Sequence, residues 1–160
     1  MAKDIAMATK IEDYIVTALL AAKDTDNNCP FDTVAVYTDQ LAPENGGIKA
    51  ADKYRCFAFV GFAPADAERE GDFDLDQILK ISVLVGATYD IAGLARRGDN
   101  LRYGTNKLRE FVIATLDKQH PTYGSTNLTC DDIIFRGENL LCETSRTSIL
   151  EMSFDVPYIM

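Results

Sequence analysis

The chain has a single histidine, and its four cysteines, Cys29, Cys56, Cys130 and Cys142, include no Cys-x-x-Cys pair. Structural zinc sites cluster four such ligands at short spacing, so the sequence argues against zinc. The thiols are expected to pack, reduced, as small apolar residues, with disulfides the lesser alternative. No apolar run approaches the roughly 20 residues that cross a bilayer. Asp4 and the lack of a long apolar segment behind it argue against a secretory signal, which gives a cytoplasmic expectation. Positive charge is short as well: 16 Lys and Arg stand against 25 Asp and Glu, for a net charge of −9. That balance opposes the wrapping of nucleic acid, which needs a dense basic array, yet it lets DNA pass without sticking.

Catalytic constellations are missing too. His120 precedes Pro121 at the expected C-terminal end of a helix, where a cation suits the dipole, and no Gly-x-Ser-x-Gly element supplies a nucleophile. Asp72, Asp74 and Asp76 imitate the start of a calcium loop, but Gln77 stands where glycine is needed and Val83 where glutamate is needed. Asp131 and Asp132 are neighbours that on a strand would point to opposite faces. Gly46 and Gly47 lack the Lys-Ser or Lys-Thr that completes a phosphate cradle. The reading is therefore of a protein that is not an enzyme, with no catalytic residue, no metal and no cofactor.

What the chain does have is 160 residues, 47% hydrophobic and 26% charged, the size of one domain with a real core. Its dominant feature is residues 72–90. Phe73, Leu75, Leu79, Ile81, Val83, Val85, Ala87 and Tyr89 share one parity; Asp72, Asp74, Asp76, Lys80, Ser82, Thr88 and Asp90 share the other. Only a strand sorts residues this way, and unbroken it would run roughly 55 Å. Such a strand must bend, bulge or leave its own domain. An acidic outer arm and a buried inner half are expected, with Gly86 as a bulge site. The arm, Asp72, Phe73, Asp74 and Asp76, is expected to pack head-to-tail on an adjacent subunit.

Elsewhere, Thr9 and Glu12 match a capping box, and Ile11, Tyr14, Ile15, Ala18, Leu19 and Ala22 follow at helical spacing, predicting a helix over residues 10–23. Residues 34–37 read as a short strand and 41–53 as a loop. Residues 56–63, apolar on both parities, suit a central strand covered on two faces. Residues 64–71 read as a solvated connector to the long strand. Arg96 and Arg97 follow that strand as a basic pair able to grip a carboxylate-rich partner or a DNA phosphate, or else simply solvated. Asp99 or Asn100 caps a second helix that carries Gly104, Leu108, Val112 and Leu116. Residues 133–142 read as a hairpin turning at 136–139, and Leu150, Met152, Phe154, Val156 and Tyr158 mark a last half-buried strand whose Pro157 favours a sheet edge or end. The fold class is α/β of the α+β kind: a mixed, mainly antiparallel sheet, two principal helices and a long strand or hairpin arm.

In this order of elements the chain resembles the small tail-terminator, or tail-completion, proteins of Mu-like phages and prophages. The resemblance rests on the opening helix from Lys10-Ile11-Glu12-Asp13-Tyr14, the strands at 34–38 and 57–62, Ile81-Ser82-Val83-Leu84-Val85 followed by Ala95-Arg96-Arg97-Gly98-Asp99, the helix at 108–116 and the closing strand at 148–158. Residues 41–53 and 119–129 carry no match. The resemblance implies a homo-oligomeric, hexameric ring in the virion that caps the tail tube and ends its polymerisation. It also implies contacts with the tube protein and the head connector, the sheath being a further candidate partner. DNA would cross the ring without specific binding, and no membrane would be involved. A head-completion or connector ring is the nearest alternative; a small ligand-binding or hydrolytic α/β domain is the alternative from another class. If six copies ring a channel, an acidic wall with Arg96 and Arg97 turned to a partner protein is expected, against the alternative that the acidity lies outside and serves solubility.

Overall fold

A computed structural model describes residues 6–38, 40–41, 43–44, 47–48, 55–70, 74–89, 93–99 and 102–159, with backbone placement alone for 43–44, 47–48, 63–70, 74–77 and 159. Its elements are α1 (Met7–Ala21), β1 (Thr33–Val36), β2 (Pro43–Glu44), β3 (Gly47–Ile48), β4 (Cys56–Glu70), β5 (Asp74–Thr88), α2 (Leu94–Arg97), α3 (Thr105–Leu116), β6 (Thr122–Tyr123), β7 (Thr126–Asn127), β8 (Ile134–Glu143) and β9 (Thr147–Ile159). Five strands form one sheet in the order β1-β4-β5-β9-β8, and two short two-stranded ladders stand apart. The β1–β4 pair is parallel and the other pairs are antiparallel. This is the mixed α+β class expected from the alternation of strand and helix periods.

Helical spacing decides which face each helix buries. Ile11, Ile15 and Leu19 on α1, and Leu108, Val112 and Leu116 on α3, recur every four residues and are fully buried. They pack on one face of the sheet against Ala58, Val60, Ile81, Val83, Val85 and the β9 side chains Met152, Phe154 and Val156. The residues of β5 and Tyr89 that face the helices, Leu79 to Tyr89 in steps of two, are buried and have the expected parity. The opposite face carries a smaller cluster, Phe57, Phe59, Leu84 and Ile149, packed against Ala35, Leu41 and Cys142. The rings of Phe57 and Phe59 stack at 5.1 Å. Residues 56–60 of β4 are thus covered on both faces, while Phe62, in the same apolar run, is exposed.

Several boundaries differ from expectation for identifiable reasons. α1 begins at Met7, so Thr9 lies inside the helix; the N-cap is Ala6 and no side chain caps it, leaving the Thr9–Glu12 capping box unused. Residues 64–70 are strand, not connector: β5 pairs them, and Pro64 sits in the irregularity between Ala63 and Asp66, where a missing N–H removes no ladder bond. Residues 133–142 are no hairpin. Gly137, at φ 142°, lies beside a bulge within the continuous strand β8, which turns into β9 instead. The cap of α3 is Gly104, not Asp99 or Asn100; a Cβ there would stand 2.4 Å from the Gly98 nitrogen, so the close approach is to the segment after α2. The region 41–53 holds the small β2–β3 ladder. Pro157 falls where β9 has run past the end of β8, at a sheet edge.

Gly86 is paired without interruption and is not a bulge. It faces Phe57 across the ladder, and a Cβ at 86 would stand 2.2 Å from that ring, which has no room to move in its buried cluster. Gly86→Ala should therefore cost about 1–3 kcal/mol by overpacking. Gly61→Ala, whose Cβ would meet Tyr37 at an ordinary 3.5 Å, should cost nothing. Thermal melts of the two variants check this, and equal melting temperatures would contradict it.

Candidate assembly surfaces

The arm is real as backbone. β4 and β5 each run 15 residues, whereas β1 ends at the Val36↔Val60 pair and β8 begins opposite Asp155, the partner of Lys80. Beyond these points, among the described residues, only β4, β5 and the end of β9 continue in the sheet. After the Tyr37 N–H has bonded the Val60 carbonyl, the Gln40 side chain accepts the Thr38 N–H at 2.6 Å and donates to the Val36 carbonyl at 2.9 Å, on the side of β1 turned away from β4. At the tip, Glu68 is the register partner of Asp76 and Glu70 that of Asp74. Asp74 and Asp76 thus lie on the arm, while Asp72 and Phe73 lie outside the described residues.

Arg96 and Arg97 close α2 and are exposed. Arg96 Nη1 reaches Glu143 Oε1 at 3.3 Å, a surface pair worth at most about 1 kcal/mol. Gly93 N–H donates to the Ser145 carbonyl, tying α2 to the β8–β9 turn. Glu143 pairs with Ser148 and Ser148 with Ala87, so the arginines stand at the far end of β5 from Asp74. Thirteen residues of strand separate the two ends, about 40 Å at the usual rise. The structure does not bring the two expected contact groups together; it places one at each end of the sheet.

Sequence reasoning missed a cavity of about 290 Å³ between the α1–β1 loop and the segment before α3, lined by Asp24, Asp32, Cys56, Asp99, Arg102 and Tyr103 among others. Asp24 accepts N–H bonds from Asp26 and Asn28 and the Tyr103 hydroxyl at 3.0 Å; the Asn28 bond first of all holds its carboxyl below the usual range. The Arg102 guanidinium lies 4.9 Å over the Tyr89 ring, and the Tyr89 hydroxyl donates to the Tyr103 carbonyl. Burial pushes the Tyr89 hydroxyl and the Cys56 thiol up to about 12 each. A protonated thiol, a neutral phenol and carboxylates already taken up by N–H groups make a latch between loops rather than a catalytic set. Asp24 and Tyr103 are 79 positions apart, so no local spacing could have signalled the pair. Among the described residues no group of three His, Cys, Asp or Glu is placed to hold a metal ion, and no helix is long and apolar enough to cross a membrane.

His120 stands beyond the end of α3 and does not cap it. Its Nδ1 meets Asp132 Oδ1 and its Nε2 meets the Leu128 carbonyl, both at 2.8 Å. Two acceptors facing two ring nitrogens are both satisfied only when the imidazole carries its second proton. The Leu128 carbonyl first, then the Asp132 carboxylate, raise its pKa above the ordinary value.

No family model matches the chain, and no curated protein does. Among solved structures, a chain of the virion of the native gene transfer agent particle superposes with a TM-score of 0.56 at 15% identity, over 98% of this chain and 100% of that one. The two share a fold. At that identity the likeness concerns the backbone path, and no residue role is carried over from it.

The His120 clamp supplies its own test. Because the folded pKa is raised, its stabilisation is complete below the unfolded value, about 6.5, and is lost as pH rises through the folded value. The melting temperature of the native chain should fall between pH 6 and pH 8 by more than that of His120→Gln. Identical pH profiles would contradict the clamp.

Proposed function

We propose that the chain is a structural protein of a phage-like virion, with no enzymatic activity, and that it ends the tail tube as a ring of six copies at the head-proximal end of the tail. The observation that carries the reading is the fold shared, over nearly the whole of both chains, with a chain of a gene transfer agent virion. It is supported by an arm that, among the described residues, has no strand paired along its β1-side edge and by a cavity whose ionisable groups are already engaged in holding loops together. In this reading the 160 residues act as one domain. The arm contacts the neighbouring copy, and Arg96 and Arg97 at the far end face the tube protein, the sheath or the head connector. A ring of chains each at −9 presents a like-charged passage to DNA, which keeps the genome from adhering in transit.

The test is a tail-assembly assay with Arg96→Glu and Arg97→Glu combined. Charge reversal at an exposed helix end leaves the core intact, so rings should persist while tails grow overlong, with or without heads joined. Tails of normal length that lack only heads would favour the connector-ring alternative. Normal, infectious particles would remove the arginine pair from the account.

A further inference from the structure

Large apolar side chains left in water are the surface feature still without a role. Among the described residues seven are exposed, and five of them lie on the two outer edges of the one sheet: Val36, Tyr37 and Phe62 (38–41% exposed) on one edge, Leu140 and Leu141 (48 and 52%) on the other. Cross-strand partners share a face. Val36 is paired with Val60, Phe62 with Ile81, and Leu140 with Leu150, all of which belong to or pack on the helix-side core. Val36, Phe62 and Leu140 therefore project from the helix side of the sheet, while Tyr37, beside Gly61, lies on the other.

The backbone of each edge is open as well. On one side β1 turns away after Val36, and among the described residues the ten residues of β4 from Gly61 to Glu70 have no strand paired on that side. On the other, the ten residues of β8 form the last strand of the sheet. Edge strands usually carry charges, Pro or bulges as guards against pairing; β8, Ile-Phe-Arg-Gly-Glu-Asn-Leu-Leu-Cys-Glu, has charges and bulges but no Lys or Pro, and the open part of β4 has Pro64 near its start. Its two bulges leave residues 137–140 in regular register with 150–153, so a straight run of open edge ends at the exposed leucines.

We infer that β8 of one copy docks against the Val36–Tyr37–Phe62 corner, and the open β4 edge continuing from it, of a second copy of this chain. A foreign partner needs one receptive edge. Two unlike open edges on opposite sides of one sheet, each ten residues long and each bearing exposed apolar side chains, are what a self-propagating head-to-tail contact needs, and such a contact closes into a ring when its rotation allows. The inference rests on the ring reading and names its interface.

Cysteine cross-linking tests it. In a Cys142→Ser background, Phe62→Cys and Leu141→Cys are made singly and together and treated with a short bis-maleimide, with electron micrographs taken of the same samples. The double variant should give a ladder of linked chains ending at the ring number, while each single variant gives only the background of the parent. Strong linking by either single variant would show like edges meeting and overturn the inference. Rings in the micrographs without a ladder would overturn it and leave the ring standing; single particles of one chain would overturn both. Leu140→Asp with Leu141→Asp gives an independent check: the ring should fall apart to a chain of unchanged circular dichroism, and intact rings would contradict the assignment.

Discussion

The pairing of β4 with β5 runs from Cys56↔Ala87 at one end to Glu70↔Asp74 at the other, and the remaining elements take their places from it. Its inner half must be covered on both faces, because β4 is apolar at every position from Cys56 to Val60. The two helices satisfy one face and the Phe57–Phe59 cluster the other, with Gly86 leaving the room that the Phe57 ring occupies. Among the described residues, no strand pairs with its outer half on the β1 side. One continuous ladder thus joins a rigid core to an uncovered edge, so a partner bound at the arm meets a surface held by the core rather than a free loop.

The same ladder separates the chemistry of the molecule into ends. Acidic register pairs lie at the tip, Arg96 and Arg97 lie about 40 Å away beside the β8–β9 turn, and the latch of Asp24, Tyr103, Tyr89 and Arg102 ties the loops together near that second end. Buried titratable groups in this latch serve packing: the Cys56 thiol and the Tyr89 hydroxyl stay protonated at neutral pH.

Period and parity made much of this legible in the sequence. The step-of-two burial along β5 and the step-of-four burial of Ile11, Ile15 and Leu19 follow directly from the residues. Local signals failed where tertiary pairing overrode them. Pro64 and the acidic run after it look like a loop until β5 supplies their partners, and Gly137 looks like a turn until its place beside a bulge in β8 is seen. α2 is four residues long, too short for any periodicity to mark. Of the expected interface residues, Asp74 and Asp76 fall on the arm and Arg96 and Arg97 on the opposite end, a separation that follows from topology and not from spacing. The exposed pairs at the sheet edges were invisible for the same reason: strand order, not sequence order, makes β1 and β8 the outermost strands.

An uncovered arm, two open apolar edges and loops latched at the far end make sense in a chain completed by copies of itself. Native mass spectrometry of the purified full-length chain addresses that claim most directly. The account predicts a closed species of six chains that persists on dilution; a single chain at every concentration would contradict it.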